Sequence, residues 1–518
     1  MTQLSDLPPE LIATILSVLP SVKDLAACSS VSRTFHTIIS TSVLHQYNIE
    51  LYKACAKDNN NCSLSSSEKL DQLRSREKSW SECTPLFHQK IPVNFNPGSV
   101  YDLSGDVYLL GDHTRQLLHF LRLSNTPEHV PQWAVFPSGD TRPIVDFGLN
   151  LLEHDIIAVV TATEIYIGAL QALSIELSFR QFSTGNFHPL AKVPSIPIAI
   201  SQEAPSINLE IVGSYLALVT TFWRPPGERS RVYVYEWQTG ELVMDISGDP
   251  YSYSGVIFLS HDIIMLPNIE SSALELWKIP RSGEDQPSSP LLKLSLPRLQ
   301  PQNILRFMSC RAEPNPVGFN NELKHSSQPF HYDPLESIIL LHLRVQNIPN
   351  SSLFTIFIHR RSLLELLSNQ AINNGKPVPW ADWAPPITFC VDLIGLPSRW
   401  VTTTSNTRYT RLPGAMEAGD GYGESHIVVI DFNPHNVRKA ERELEKDPNV
   451  RKAVSRGRRV VDPQRLFAEE ITSNLPCVIT TTPERYRLDG VLMDESNILG
   501  LRTDARGRIR SVEVLHFG

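Results

Sequence analysis

The sequence predicts a mainly β fold that begins with a small all-α domain. Apolar residues recur at helical spacing near the N-terminus. From Ile91 onward, short β-branched and aromatic runs are instead separated by clusters of Gly, Pro, Asn and Asp, which is the pattern of an all-β region. The 518 residues exceed one ordinary core, so we expect a small domain followed by a much larger one.

Composition and charge exclude several classes of protein. The chain is 41% hydrophobic and 20% charged, as folded globular proteins are. Its net charge of -8 disfavours nucleic acid and anionic membrane as main partners. We expect no signal peptide and no membrane span. The seven scattered cysteines indicate reduced thiols, so we expect a cytoplasmic and/or nuclear protein.

The N-terminal residues predict three short helices. Asp6 is a candidate N-cap, and Pro8 and Pro9 suit the first helical positions, where a missing N–H costs little. A second helix follows Ser21, and a third carries Phe35. Apolar side chains share one face of the first helix: Leu11, Ile12, Ile15, Leu16 and Leu19. So small a unit cannot bury all of them, and we expect some to face a partner.

These helices resemble the F-box over its full length. The resemblance rests on the opening Leu7-Pro8, the apolar stripe, Asp24-Leu25 and Val31-Ser32-Arg33, although Phe35 and Thr34 stand where tryptophan and a basic residue are common. It implies binding to the Skp-type adaptor of a cullin-RING ubiquitin ligase. The adaptor-binding residues that it implies are Leu7, Pro8, Leu11, Ile12, Ile15, Leu16, Leu19, Leu25, Val31, Ser32 and Phe35. The alternative is a helical cap on the larger domain.

A helical linker is expected at 42–90. Its first part carries Val43, Leu44, Tyr47, Leu51 and Tyr52 at helical spacing, and the polar segment Lys57–Ser67 predicts a loop. Ser67 precedes a helix whose apolar face holds Leu70, Leu73 and Trp80. The charged residues Arg74, Arg76, Glu77 and Lys78 are predicted mainly on the opposite face. This segment resembles the linker of fungal F-box proteins, which couples the F-box to a β-rich receptor.

Two strand patterns recur in the β-rich region. Polar turns lead into buried runs at 154–159, 213–218, 261–266 and 336–341, and alternating partner strands follow at 231–237, 274–277, 354–358 and 426–431. Starts near 232, 274, 354 and 427 differ by 42, 80 and 73 residues, which we interpret as one, two and two repeats of about 40 residues. We therefore predict a β-propeller-like domain of six or seven blades, with a β-sandwich assembly as the alternative.

Two further features support a propeller. The stretch 231–246 is similar to the third and fourth strands of a WD-repeat blade, with Gln238-Thr239-Gly240 as the hairpin turn. The C-terminal strand Arg510–Phe517 is predicted to close the ring beside the strands near Val107 to Leu110.

No residue is nominated as catalytic, metal-binding or cofactor-binding. Gly419–Gly423 leads into a strand, whereas a phosphate loop leads into a helix, and His325, His331 and His342 lack ligand spacing. Trp380, Trp383 and Trp400 are interpreted as packing residues rather than a ligand cage.

A charged segment interrupts the β-rich region. Arg438–Arg465 is interpreted as a solvated charged arm; partner docking, nuclear import and nucleic-acid contact are the alternatives.

The expected domains are an F-box at 1–41, the linker at 42–90 and the β-propeller-like domain at 91–518, with the charged insertion at about 436–465. The resemblance implies a non-enzymatic substrate receptor, in which the isolated region from Pro92 onward would still bind an unknown protein target. The alternatives are a propeller enzyme or ligand-binding protein with a helical cap, and a scaffold that acts without the ligase.

Overall fold

The computed structural model describes residues 7–19, 21–223, 228–318, 323–347, 350–370, 376–392, 400–413, 423–461 and 466–518. The proposed N-cap Asp6 and the loop residues 419–422 lie outside these ranges. The chain begins with the predicted helices. They and the first strand are α1 (Pro9–Ser17), α2 (Val22–Ser29), α3 (Arg33–Thr41), α4 (Val43–Lys53), β1 (Ala56–Asp58) and α5 (Ser66–Glu82).

Side-chain caps fix where these helices start. Ser21 accepts hydrogen bonds from the backbone N–H groups of Lys23 and Asp24, which satisfies donors that a helix start leaves unpaired. In α5, Ser65 and Glu68 form a capping box, so the cap precedes the predicted Ser67 by two residues.

Four-stranded antiparallel sheets make up the first half of the β-rich region. Strand β2 (Phe87–Pro92) follows α5. Blade 1 contains β3 (Pro97–Ser104), β4 (Val107–Asp112), β5 (Leu118–Arg122) and β6 (Ala134–Val135). Blade 2 contains β7 (Ile144–Asn150), the single turn α6 (Leu151–His154), β8 (Ile156–Ile167), β9 (Leu170–Gln181) and β10 (Ser195–Ser201). Blade 3 contains β11 (Ser206–Val212), β12 (Tyr215–Thr221), β13 (Arg231–Glu236) and β14 (Glu241–Ser247). Blade 4 contains β15 (Ile257–Ser260), β16 (Ile263–Asn268), β17 (Ala273–Lys278) and β18 (Leu292–Ser295).

The second half carries insertions. Blade 5 spans β19 (Ile304–Arg311), the inserted β20 (Phe330–Tyr332), β21 (Ile338–Asn347), β22 (Asn350–His359), the inserted α7 (Arg360–Gln370) and α8 (Trp380–Trp383), and β23 (Thr388–Asp392). Blade 6 spans β24 (Thr404–Ser405), β25 (Arg408–Arg411), β26 (Val428–Asp431), α9 (Pro434–Lys446), β27 (Lys452–Ser455), β28 (Arg459–Val461), β29 (Ile471–Ser473) and β30 (Cys477–Thr481). Blade 7 contains β31 (Gly490–Met493), β32 (Asn497–Thr503) and β33 (Ile509–His516), and β2 completes it.

The sheets close into a seven-bladed propeller within the described residues. Each sheet buries both faces, because successive side chains of a strand point to opposite sides. In β4, Val107 and Leu109 pack against blade 2, whereas Tyr108 and Leu110 pack against blade 7. Similar buried clusters join blades 2 and 3, 3 and 4, 4 and 5, 5 and 6, and 6 and 7, so apolar packing runs around the whole ring.

The recurring strand patterns are confirmed, but their spacing was misread. The buried runs form the second strands β8, β12, β16 and β21, and the partner runs contribute to the third strands β13, β17, β22 and β26. These third strands belong to consecutive blades, so each interval is one repeat. The longer intervals contain the insertions around β20 and around α7 and α8. The predicted hairpin of β13 and β14 is present, with Gly240 in the left-handed region at its turn.

The ring closes differently from the prediction. Strand β33 pairs with β2, from Phe87 opposite His516 to Pro92 opposite Ser511. Val512 and Val514 of β33 face blade 1 in one apolar cluster with Tyr108 and Leu110, so these strands pack face to face and share no sheet. The terminal blade therefore combines both ends of the β-rich region.

The linker helix α5 is docked on the propeller. Trp80 stacks on Phe517 with ring centroids 4.0 Å apart, between blades 6 and 7. Arg408 of β25 donates to Glu77 at 2.6 Å and to Asp431 at 3.2 Å. Although burial alone would lower it, the charge of Glu77 raises the pKa of Arg408 above its usual value, so this buried cation stays charged.

Two polar residues of the linker are buried, contrary to the sequence interpretation. Arg76 is only 2% exposed because its guanidinium lies over the rings of Phe330 and Tyr332, at 4.4 and 4.3 Å. Asn59, in the predicted loop, donates to the carbonyl oxygen of Gln328 at 2.7 Å. In the same segment β1 pairs with β20, so the insertion of blade 5 and the linker hold each other.

The charged insertion is packed and not a solvated arm. Val437 and Ala440 of α9 are buried against Val478 of β30. Strand β27 adds a fifth strand to blade 6 by pairing with β30, and β28 pairs with β29. The few apolar residues of α9 lie on one face of the helix, and that face is buried. The sequence interpretation missed this face because it was based on the number of charged residues. Trp380 and Trp383 are likewise buried between blades 4 and 5, in agreement with a packing role.

The first prediction concerns ring closure. A chain that begins at residue 43 retains α4, α5 and β2 and should melt within a few degrees of the full chain. A chain that begins at residue 93 lacks β2 and Trp80, leaves β33 as an open edge and exposes the core around Ile91. We expect its melting temperature to fall by at least about 10 °C, measured by circular dichroism. Equal melting of the two truncated chains would show that β2 is dispensable.

The second prediction concerns the insertion. Ala440→Asp places an unpaired carboxylate in the buried contact between α9 and β30 and should lower the melting temperature by at least about 5 °C. The control Arg442→Asp introduces the same side chain at an exposed position of α9 and should change little. If both variants melt as the parent does, α9 does not pack as described.

Candidate functional site

The first candidate site is an apolar surface on the N-terminal helices. The helices pack around a small core that contains Ile12, Leu16, Leu25, Ile38 and Ile39. This core leaves other large apolar side chains in solvent. Their exposed fractions are 51% for Leu11, 42% for Ile15, 77% for Val18 and 73% for Val31. Leu11, Ile15 and Val18 follow one another at four and three residues and form a stripe on α1.

The eleven residues that the resemblance implied fall into three groups. Pro8, Leu11, Ile15, Val31 and Ser32 are exposed. Leu7, Leu19 and Phe35 are half-buried against the helical core. Ile12, Leu16 and Leu25 are buried in it.

Ser32 also has a local structural role. Its hydroxyl accepts a hydrogen bond from the backbone N–H of Phe35 at 3.2 Å and caps α3.

Val18, Val43 and Leu44 are exposed apolar residues that were absent from that set. Val18 continues the stripe of α1 by one helical turn, and its spacing from Leu11 and Ile15 was visible in the sequence. Val43 and Leu44 lie at the start of α4 and are 41% and 44% exposed. The sequence placed them on a linker helix, and only the packing of that helix shows that they stay uncovered within the described chain.

A charged network fills the centre of the propeller. Arg311 of β19 donates to Asp102 of β3 at 2.7 Å and to Glu210 of β11 at 3.2 Å, and it lies 2.8 Å from Glu313. Blades 1, 3 and 5 are not neighbours, so these side chains meet only across the ring. Their first strands therefore line a central channel, in which Arg311 contacts three carboxyl groups.

The second candidate site is a cavity of about 1240 Å³ at one end of this channel. The turns between the first and second strands of blades 1, 2, 4, 5 and 7 open onto it, because these turns lie at the same end of the ring. Its roof comes from α5, β1 and β20. The cavity thus exists only because the linker and the insertion of blade 5 extend over the channel mouth.

Carboxyl groups dominate the charge of this cavity. Seven Asp and Glu side chains line it, against two Lys and Arg side chains. Asp106 lies in the tight turn between β3 and β4, where Gly105 and Asp106 both have positive φ, and it accepts from Gln328 at 3.2 Å. Asp494 accepts from the backbone N–H groups of Ser496 and Asn497, which fixes the turn between β31 and β32.

Burial shifts the proton equilibria of these groups. Burial and then the charge of Asp106 raise the pKa of Asp494 to about 8. Burial also raises the pKa of Glu495 to about 7, against the opposing effect of Arg76. The pKa of Asp106 is raised by burial as well. A cation placed among these three groups would favour their ionised forms.

Among the described residues, no three His, Cys, Asp or Glu side chains converge as metal ligands would. No helix in the described ranges is long and apolar enough to span a membrane.

Comparison with known families supports the assignment of the N-terminal helices. The F-box-like family profile matches residues 4–48. No curated protein matches the chain.

The solved structures that show some likeness share little sequence identity with this chain. The C-terminal WD40 domain of Sif2 is 9% identical, with a TM-score of 0.27, over 77% of this chain and 97% of that one. Drosophila Semaphorin 1b, extracellular domains 1–2, is 9% identical, with a TM-score of 0.35, over 84% and 87%. Kluyveromyces lactis Hsv2 is 10% identical, with a TM-score of 0.22, over 49% and 80%. These scores are too low to carry an argument, so the blade assignment rests on the strand pairing and inter-blade packing of this chain.

The helical residues, the profile match and the sheet order together define the architecture: the chain carries an N-terminal F-box-like domain joined through a docked linker helix to a β-propeller, whose described strands form seven blades.

Proposed function

We propose that this protein is a non-enzymatic substrate receptor of a cullin-RING ubiquitin ligase. The F-box-like helices bind a Skp-type adaptor, and the propeller binds a protein target. The observation that carries the proposal is the exposed stripe of Leu11, Ile15 and Val18 on a helix whose family profile matches. Apolar side chains so exposed on a small helical unit indicate a surface that a partner covers.

The buried members of the implied set act indirectly in this proposal. Ile12, Leu16 and Leu25 hold the three helices together and thereby position the exposed stripe. Pro8, Val31 and Ser32 contact the adaptor beside the stripe, and Leu7, Leu19 and Phe35 contribute their accessible edges. Val18 extends the stripe, and Val43 and Leu44 add exposed apolar area at the start of α4.

The fixed position of the linker helix α5 on the propeller supports the proposed role as a substrate receptor. A receptor raises the local concentration of the target near the enzyme only if the two binding sites keep a suitable separation. Trp80, Glu77 and Arg408 fix α5 on the propeller, and α4 contacts α5 and the insertion of blade 5 through Tyr47 and Leu51. The helices that lead to the F-box are therefore anchored and not loosely tethered.

The third prediction tests the adaptor surface. Leu11→Asp combined with Ile15→Asp should abolish co-purification with the Skp-type adaptor, because each substitution places a carboxylate in an apolar contact and costs about 2 kcal/mol or more. Both side chains are exposed in the free protein, so its melting temperature should change little.

A matched control distinguishes this surface from apolar surface in general. Tyr166→Asp combined with Leu170→Asp alters two exposed apolar side chains at the tip of the β8–β9 hairpin and should leave adaptor binding intact. Retained binding by the folded Leu11→Asp, Ile15→Asp protein would remove this stripe from the adaptor interface.

A further inference from the structure

The charged network in the channel holds more carboxyl groups than guanidinium groups. Arg311 lies within 3.2 Å of a carboxyl oxygen from each of Asp102, Glu210 and Glu313. Each of the four side chains is 16% exposed or less, so water screens their charges only weakly. One guanidinium balances one of three carboxylates. Complete ionisation would therefore leave like charges close together in a poorly solvated place.

Other charged groups that face the network do not remove this imbalance. They are Asp146 of β7, Arg115 of the β4–β5 turn and Arg360 at the start of α7. Arg115 is exposed. Arg360 donates from Nη1 to the carbonyl oxygens of Pro314 and Pro334, both at 2.8 Å, and not to a carboxylate. Within the described residues, the guanidinium of β19 is thus the only cation in contact with these carboxyl groups.

The uncharged neighbours of the network supply no positive charge either. Asn315 donates from Nδ2 to Glu210 at 2.6 Å. Burial raises the pKa of the Tyr101 phenol and of the Cys310 thiol, so both groups are neutral at pH 7. A proton on one carboxyl group would lower the repulsion, because a protonated carboxyl group loses its charge and gains a hydrogen-bond donor.

We propose that the carboxyl groups around Arg311 share one proton at neutral pH, and that release of this proton in mildly alkaline solution weakens the contact between blades 1, 3 and 5. This property of the ring is independent of any adaptor or target. Burial raises the pKa of Glu313 to about 8 and that of Asp146 to about 7, and it also raises the pKa of Glu210. Because these groups interact, the proton belongs to the network and not to one residue.

The effect of this proton on stability has a definite sign. A carboxyl group that binds its proton more tightly in the folded chain stabilises the fold fully below its unfolded pKa, which is about 4.3 for glutamate. That stabilisation is lost as the pH rises through the folded pKa of about 8. Since buried histidines and thiols also make stability depend on pH, the parent has to be compared with a variant that lacks only this proton.

The test replaces Glu313 by glutamine in the full chain. The amide of Glu313→Gln resembles a protonated carboxyl group in shape and stays uncharged at every pH. Between pH 6 and pH 8, we expect the melting temperature of the parent to fall by about 2 °C more than that of the variant, measured by circular dichroism. At pH 8 the variant should melt above the parent. A merely structural role of Glu313 would instead lower the melting temperature at every pH.

Infrared difference spectroscopy of the folded chain gives a second readout. Between pH 6 and pH 9, the parent should lose the carbonyl band of a protonated carboxyl group. The Glu313→Gln chain should lose less of this band, because fewer carboxyl groups then compete for Arg311.

A matched variant controls for the loss of one negative charge. Glu284→Gln makes the same change at an exposed position, and its melting temperature should follow that of the parent at each pH. If Glu313→Gln melts early throughout, Glu210→Gln is compared with the parent by the same difference in slope. The proposal is overturned by parallel curves for the parent and both channel variants, by an equal change of slope in Glu284→Gln, or by a parent without the protonated-carboxyl band at pH 6.

Discussion

Pairing of β2 with β33 is the constraint on which the structure depends. Each of the other six blades is built from one continuous region of the chain, but blade 7 needs strands from both ends of the β-rich region. Without β2, blade 7 would have three strands, and β33 would be left as its unpaired outer edge. The pairing therefore brings α5, which immediately precedes β2, to a fixed place beside the C-terminus. The position of the helical segment follows from ring closure.

Contacts between α5 and the propeller then fix how the helix is placed. Trp80 supplies apolar area between blades 6 and 7, and the buried pair of Arg408 and Glu77 supplies directional contacts. A buried ion pair adds little net stability, because desolvation offsets the attraction, but loss of one partner leaves an uncompensated charge. Misplaced orientations of α5 would deprive Arg408 of Glu77 and leave Asp431 as its remaining carboxylate partner. The pair therefore selects one orientation of the linker more than it stabilises the fold.

The two charged regions of the propeller differ in how their charges are satisfied. In the channel, Arg311 contacts carboxyl groups from three blades. In the roofed cavity, the three carboxyl groups around Asp494 are crowded together, and the nearby cation of Arg76 is held on aromatic rings. The first region therefore joins three blades across the ring, whereas burial raises the pKa values of Asp494 and Glu495 in the second.

The sequence by itself determined the local features of this protein. Helical spacing and capping residues predicted α1 to α3, and polar turns followed by apolar runs predicted the second and third strands of several blades, because both patterns depend on neighbours in the chain. The likeness of the N-terminal helices to the F-box could also be recognised from the sequence alone. Insertion lengths obscured the repeat, so the sequence left the number of blades at six or seven.

Only the tertiary structure decided which charged and apolar residues are buried. Arg76 was predicted on an exposed helix face, but the rings of Phe330 and Tyr332, far away in sequence, cover it. The carboxyl groups of Asp106 and Asp494 lie in separate turns, and they meet because ring closure places blades 7 and 1 side by side. Likewise, the buried Ile12 and the exposed Leu11 are adjacent in sequence and similar in chemistry. Composition cannot distinguish such residues, since burial depends on which distant element packs against each side chain.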